Sequence, residues 1–292
     1  ALFGVGAAAK VSSTLTMVSD LSKAENRAQL MAFFDMTTLG GLASGYISGF
    51  VMLNVFGLAP QACFSLAGVA ILVSVVLIYL FVSETRHELA DLNAGALLSR
   101  IFKDKAVQHL LPVYLPIMCL YGLLIAFAER LAESIELSVQ SQALQLLAVI
   151  GVSLLGSMLV NAKLSDRLKK RRPFIAVGLL CFGALTVILV ANRENIAALT
   201  GYAPLLVAAS LGAGAFPPAV LAYLSDVSKR ESRGTMFGIY SVIFGSGMVL
   251  GPLSGGIMLD RYGTAGFITL VAALTGTALA GVVFLPEPRL EN

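Results

Sequence analysis

Apolar residues fall in blocks of about twenty, separated by short polar stretches, which is the length a helix needs to cross a hydrocarbon core. Nine such blocks are predicted as spans, at about 1–18, 29–52, 63–83, 107–128, 142–162, 174–191, 198–223, 235–258 and 264–285. The strict ten-residue alternation of a membrane β-barrel is missing. A backbone surrounded by lipid must satisfy its own hydrogen bonds, so the blocks are expected to be helices and the fold class an all-α membrane protein.

The polar stretches alternate in charge. One set holds Lys23 and Arg27; Arg86, Arg100, Lys103 and Lys105; Lys163, Arg167, Lys169, Lys170, Arg171 and Arg172; Lys229, Arg230 and Arg233; and Arg289. The other holds only Arg130, Arg193 and Arg261, and Lys10 lies inside a span. Short cytoplasmic loops retain Lys and Arg, so the basic set is expected in the cytoplasm together with the C-terminus. The long basic stretch between the third and fourth spans is the natural boundary between two bundles. The chain is therefore read as a partial N-terminal bundle over 1–86, a linker over 87–106 and a six-helix bundle over 107–292. Segment 88–103 reads equally well as an amphipathic helix on the membrane surface and as a solvated linker.

The first and last three spans repeat one another at an offset of 206 residues. Ser19-Asp20-Leu21-Ser22-Lys23 aligns with Ser225-Asp226-Val227-Ser228-Lys229, Glu25 with Glu231 and Arg27 with Arg233. Gly41, Gly45 and Gly49 align with Gly247, Gly251 and Gly255, and Gly57 with Gly263. Ser83-Glu84-Thr85-Arg86 then meets Pro286-Glu287-Pro288-Arg289 after a three-residue shift. Hydrophobicity alone cannot place Asp, Lys, Glu and Arg alike. Both copies run in the same direction, as in transporters whose halves are related by an axis along the membrane normal. The second copy follows three spans of its own, so symmetry leads us to expect three more before Ala1.

Composition agrees with this reading. Of the 292 residues 57% are hydrophobic and only 13% charged, against roughly 25% charged in a soluble domain. Cys63, Cys119 and Cys181 each lie in an apolar block and match no metal or redox spacing. Only two histidines are present, His87 and His109, with no nucleophile or metal constellation, which argues against an enzyme. No phosphate-binding loop is present for an ATP motor, and no cofactor or metal is expected. A basic run beside a span, such as Lys169–Arg172, reads as topological or lipid-facing and not as a nucleic-acid site.

Several of these motifs resemble the Major Facilitator Superfamily, whose members usually have twelve helices in two six-helix halves. The chain would then cover helices four to twelve. Ala162-Lys163-Leu164-Ser165-Asp166-Arg167-Leu168-Lys169-Lys170-Arg171 is similar to the family's glycine–acid–arginine signature, with Ala162 and Lys169 where glycine is frequent. Gly247, Gly251, Pro252, Gly255 and Gly256 resemble its glycine–proline motif, while the first copy lacks the proline. Gly4-Val5-Gly6-Ala7-Ala8 resembles the start of helix four in drug–proton antiporters. The resemblance implies secondary transport of a small solute across a cell membrane by alternating access, with proton-coupled efflux as one form of it. It also implies that Asp166 and Arg167 latch the two halves on the cytoplasmic side.

The residues themselves suggest roles. Glycines every fourth residue make a small helix face, and lipid leaves close backbone approach as the glue between helices. Asp20, Asp166 and Asp226 precede helix starts, where carboxylates meet unpaired backbone donors. Asp166 is expected to approach the first turn after Asn26 or to pair with Arg27, with Asp20, Asp226 and Arg233 in the same gate. Lys10 and Asp35 are intramembrane charges, replaced by Phe216 and Ser241 in the second copy. They are expected to pair or to share an aqueous cavity, as a structural ion pair or as a coupling site for substrate or protons. Tyr114 and Tyr121 lie seven residues apart on one helix face, for packing or for the pathway. Phe216-Pro217-Pro218 interrupts the seventh span, and a broken helix often lines a transport path. Glu129, Arg130, Glu133 and Glu136 read as solvated charges at an outer helix end. The rival reading is a membrane scaffold, sensor or assembly factor that keeps the fold without transport.

Overall fold

The computed structural model describes residues 2–83, 103, 105–133, 137–192, 195–228 and 232–288. Segment 88–102, most of the linker and Glu136 lie outside the described residues, as do the side chains of Glu129, Arg130 and Glu133. The described residues contain no strand. The helices are α1 (Leu2–Leu21), α2 (Arg27–Phe50), α3 (Pro60–Phe81), α4 (Lys105–Glu133), α5 (Leu137–Leu168) and α6 (Arg172–Ala191). They are followed by α7 (Ile196–Gly201), α8 (Ala203–Ala213), α9 (Phe216–Val227) and α10 (Arg233–Phe284). Each predicted span falls on this helical framework. The chain is an all-α, multi-pass membrane protein.

Among the described residues, seven helical stretches are long and apolar enough to cross a membrane. One of them is the whole of α10, 52 residues long. Straight, it would measure about 78 Å at ~1.5 Å per residue, more than twice a hydrocarbon core of about 30 Å. It breaks at Gly263 (φ 62°, ψ −158°), which turns one helix into two arms. Its repeat counterpart Gly57, which follows the segment after α2, has a matching positive φ of 61°. Glycine tolerates that region without steric cost, so the two copies of the repeat turn by the same device.

The seventh predicted span is three helices in sequence. α8 ends at Ala213 and α9 restarts at Phe216 with Pro217 and Pro218 in its first turn. Proline is accepted there because those amide positions need no intrahelical donor. The break packs closely: a Cβ on Gly178 of α6 would lie 2.7 Å from Phe216 Cα, and one on Gly214 would lie 2.6 Å from the Leu154 carbonyl of α5.

Two compact units are found: Ala1–Phe33 with Leu92–Asn292, and Phe34–Asp91. In the first, the glycine face of α10 meets α4. A Cβ on Gly247 would lie 2.7 Å from the Met118 carbonyl carbon, and one on Gly251 would lie 2.8 Å from that of Cys119. Gly255 faces Leu123 and Phe267, and Pro252 packs beside Gly122. In the second unit, Gly41, Gly45 and Gly49 have no described atom within 4 Å of a Cβ position. The packing expected of that first-copy face is therefore not found among the described residues. A glycine stripe draws a helix close only where a partner helix lies against it.

Candidate functional site

At the basic ends of the helices in the first unit, charged side chains from α1, α2, α5, α9 and α10 converge with Arg171. Asp166, in the last turn of α5, is turned inward and is 3% exposed. Its Oδ1 accepts from the Ala28 amide at 3.1 Å and its Oδ2 from the Gln29 amide at 3.0 Å. Those amides lie in the first turn of α2 and have no carbonyl partner within their own helix. A carboxylate there also meets the positive end of the helix dipole. Of the two placements the sequence allowed for Asp166, this is the helix-start one.

Arg27 pairs instead with Asp226. Its Nε also donates to Ser22 Oγ at 3.0 Å. Reciprocally, Arg233 Nη1 donates to Asp20 Oδ1 at 2.8 Å. These two pairs are exchanged by the 206-residue repeat: Asp20 corresponds to Asp226, and Arg27 to Arg233. Ser19 Oγ meets its own repeat counterpart, Ser225 Oγ, in a buried hydrogen bond. Such self-complementary reciprocity is what a two-fold axis produces. Ser22 donates to Ser19 O at 2.7 Å and Ser228 to Ser225 O at 3.2 Å, so the local scaffolding repeats as well.

The central cation is Arg171, which the motif did not single out. It is fully buried. Its Nε donates to Asp226 Oδ2 at 2.9 Å, and its Nη1 to Asp166 Oδ1 at 2.7 Å and Ser165 Oγ at 3.0 Å. Arg167, the arginine favoured from the sequence, is exposed and forms no ion pair among the described residues. The turn after α5 explains the exchange. Lys169 adopts φ 52°, and Lys170 N donates to Ser165 O, so the chain folds back and carries Arg171 beneath Asp166. Arg167 follows Asp166 on the helix and is rotated by about 100° away from it. The buried Asp166–Arg171–Asp226–Arg27 chain balances two carboxylates with two guanidiniums, the condition under which buried charge is tolerated.

Glu287 makes a second carboxylate cap. It accepts from the Arg171 amide and, through Oε2 at 3.2 Å, from the Arg172 amide at the start of α6. Arg172 Nη2 reaches the Val283 carbonyl at 2.7 Å. The acid–basic ending Pro286-Glu287-Pro288-Arg289 was the sequence signal for this cap.

The intramembrane candidates lie on several helices. Lys10 is exposed on α1, in the first unit. Asp35 lies in the second unit, half-buried, and its Oδ2 is buried without a hydrogen-bond partner among the described residues. Tyr114 is buried and stacks on Tyr240, with ring centroids 4.4 Å apart. Tyr121 stacks on Phe182 at 4.6 Å. Two tyrosines on one helix face thus engage two different helices, α10 and α6. Phe216 is buried at the break and Pro217 is half-buried.

The sequence model of the Major Facilitator Superfamily matches residues 1–212 and, again, 131–292. The chain is 25% identical over 275 residues to the "Multi-drug resistance efflux pump PmrA" of Streptococcus pneumoniae, covering 90% of this chain and 65% of that protein. It is 30% identical over 142 residues to the "Puromycin resistance protein pur8" of Streptomyces alboniger, covering 46% of this chain and 26% of that protein. The chain thus spans less than two thirds of the length of the curated relatives it matches. With the family match running across both halves of a helical fold that carries a 206-residue repeat, the chain belongs to the Major Facilitator Superfamily.

Proposed function

We propose that the protein is part of a secondary transporter that exports small, drug-like organic solutes by alternating access. The charge cluster serves as a latch that holds its cytoplasmic side closed. The observation that carries this reading is the reciprocal exchange of Asp20–Arg233 and Arg27–Asp226 about the Ser19–Ser225 contact. Contacts that tie one repeat to the other, and not each to itself, must break when the two repeats rock apart. Direct export assays test the reading. Cells producing the intact protein should export puromycin or members of a panel of organic dyes faster than cells without it. Failure with every compound returns the protein to the non-transporting scaffold reading.

The latch has its own test. Cysteines in a Ser19→Cys/Ser225→Cys variant would stand at the point where the two hydroxyls now touch. Oxidation should join them and lower the initial export rate about tenfold, as expected when a gating motion is arrested. A reductant should restore it. Export that continues unchanged in fully cross-linked protein would show that this face need not open.

Asp35 is the residue we assign to proton coupling. An acid in a span is costly unless it is paired or serves ion movement, and its buried oxygen has no partner among the described residues. Its place in the second copy is taken by Ser241, so the role belongs to one half. Asp35→Asn should lower export driven by a pH gradient about tenfold or more, while substrate binding persists. Unaltered gradient-driven export by that variant would remove Asp35 from the coupling path.

A further inference from the structure

We propose that the outer face of the α5–α6 turn is a binding site for an anionic phospholipid. This inference rests on membrane insertion alone, not on the transport reading.

The run from Lys163 to Arg172 is sorted by the fold into two faces. Ser165, Asp166 and Arg171 point inward and are buried. Lys163, Arg167 and Lys170 are exposed and form no ion pair among the described residues. Asp166 is the sole carboxylate of the sequence between residues 137 and 192. Its oxygens are spent on α2 and Arg171. Asp226 is paired with Arg27 and Arg171, and Glu287 is engaged by the Arg171 and Arg172 amides. Among the described residues, Lys163, Arg167 and Lys170 therefore carry positive charge on this exposed face that no carboxylate pairs.

Immediately beside these cations runs an apolar strip on the same helix. Val160, Leu164 and Leu168 are 67%, 44% and 53% exposed at four-residue spacing, one face of α5. Lys163 and Arg167 flank that strip at the same spacing. A strip of bare aliphatic side chains leading to a cluster of cations at the helix end matches an acyl chain beneath a phosphodiester. Lys and Arg at such a depth can wrap their aliphatic stems along the strip while the charged heads reach the headgroup layer. Anionic headgroups attract each such residue appreciably, and the attraction fades within a Debye length. The partner is thus phosphatidylglycerol or a lipid of like charge.

Native mass spectrometry of the intact purified protein titrated with phosphatidylglycerol, and separately with phosphatidylcholine, tests this. Wild-type protein should retain phosphatidylglycerol in clear preference. Lys163→Gln/Arg167→Gln/Lys170→Gln should weaken that binding on the order of 100-fold. Arg167→Gln alone should weaken it about fivefold, which keeps the test available if the triple variant folds poorly. Lys163→Arg/Arg167→Lys should bind as wild type does. Equal retention of the two lipids, or undiminished phosphatidylglycerol binding by the variants, would overturn the site. So would full displacement by millimolar glycerol 3-phosphate, which would make the ligand a free phosphate and not a lipid.

Discussion

Arg171→Met is expected to destabilise the protein by about 3–5 kcal/mol, the cost of stranding buried charge when one partner is removed. Arg171 joins Asp166 to Asp226, and both carboxylates have side chains about 1% exposed. Without it, among the described residues Asp226 keeps Arg27, and Asp166 keeps the helix-start amides and the Gln29 side chain. Lysine should rescue in part. Its single ammonium cannot reproduce the planar fork that reaches two carboxylates and the Ser165 hydroxyl at once. Denaturant titration of the purified protein in one detergent provides the measurement. Arg167→Met is the matched control and should change stability by less than about 0.5 kcal/mol, because its side chain is exposed. If both variants fall equally, Arg171 does not hold this cluster together.

The second large effect concerns the small-residue face of α10. Gly251→Val should cost about 3 kcal/mol, the upper end of overpacking penalties, because the overlap is with backbone. A Cβ at Gly251 would meet the carbonyl group of Cys119, with Cys119 Cα at 2.9 Å. No rotamer change relieves a clash with main chain, so α4 and α10 must separate and lose contacts along their shared length. Gly245→Ala is the comparison on the same helix. No described atom lies within 4 Å of its Cβ position, and alanine is favoured over glycine in a helix by about 1 kcal/mol. That variant should be neutral or slightly more stable. The stability difference between the two variants, measured in the same detergent, isolates close packing from helix propensity. A Gly251→Val protein as stable as wild type would mean that α4 and α10 can part without loss.

Much of this was legible along the chain. Span positions follow from hydropathy, because lipid leaves the backbone no alternative to helix. The repeat follows from charged residues recurring in register, and it aligned Gly57 with Gly263, both of which have positive φ. The break at Phe216-Pro217-Pro218 follows from proline's missing amide. The approach of Asp166 to the start of α2 was accessible too, since a carboxylate beside helix starts seeks their free donors.

Local order is written along the chain: how each segment satisfies its backbone, and which segments are copies of one another. Partners are set by packing across the fold. Arg167 and Arg171 carry the same group four residues apart, and the reversal at Lys169 selects Arg171 for burial. Gly41 and Gly247 occupy equivalent repeat positions, yet among the described residues a neighbouring helix lies against Gly247 and no atom lies within 4 Å of a Cβ on Gly41. Which arginine an aspartate chooses, and which glycine face is covered, depends on segments brought together across as many as 213 residues. A local pattern carries the chemistry of each group but not the identity of its neighbour.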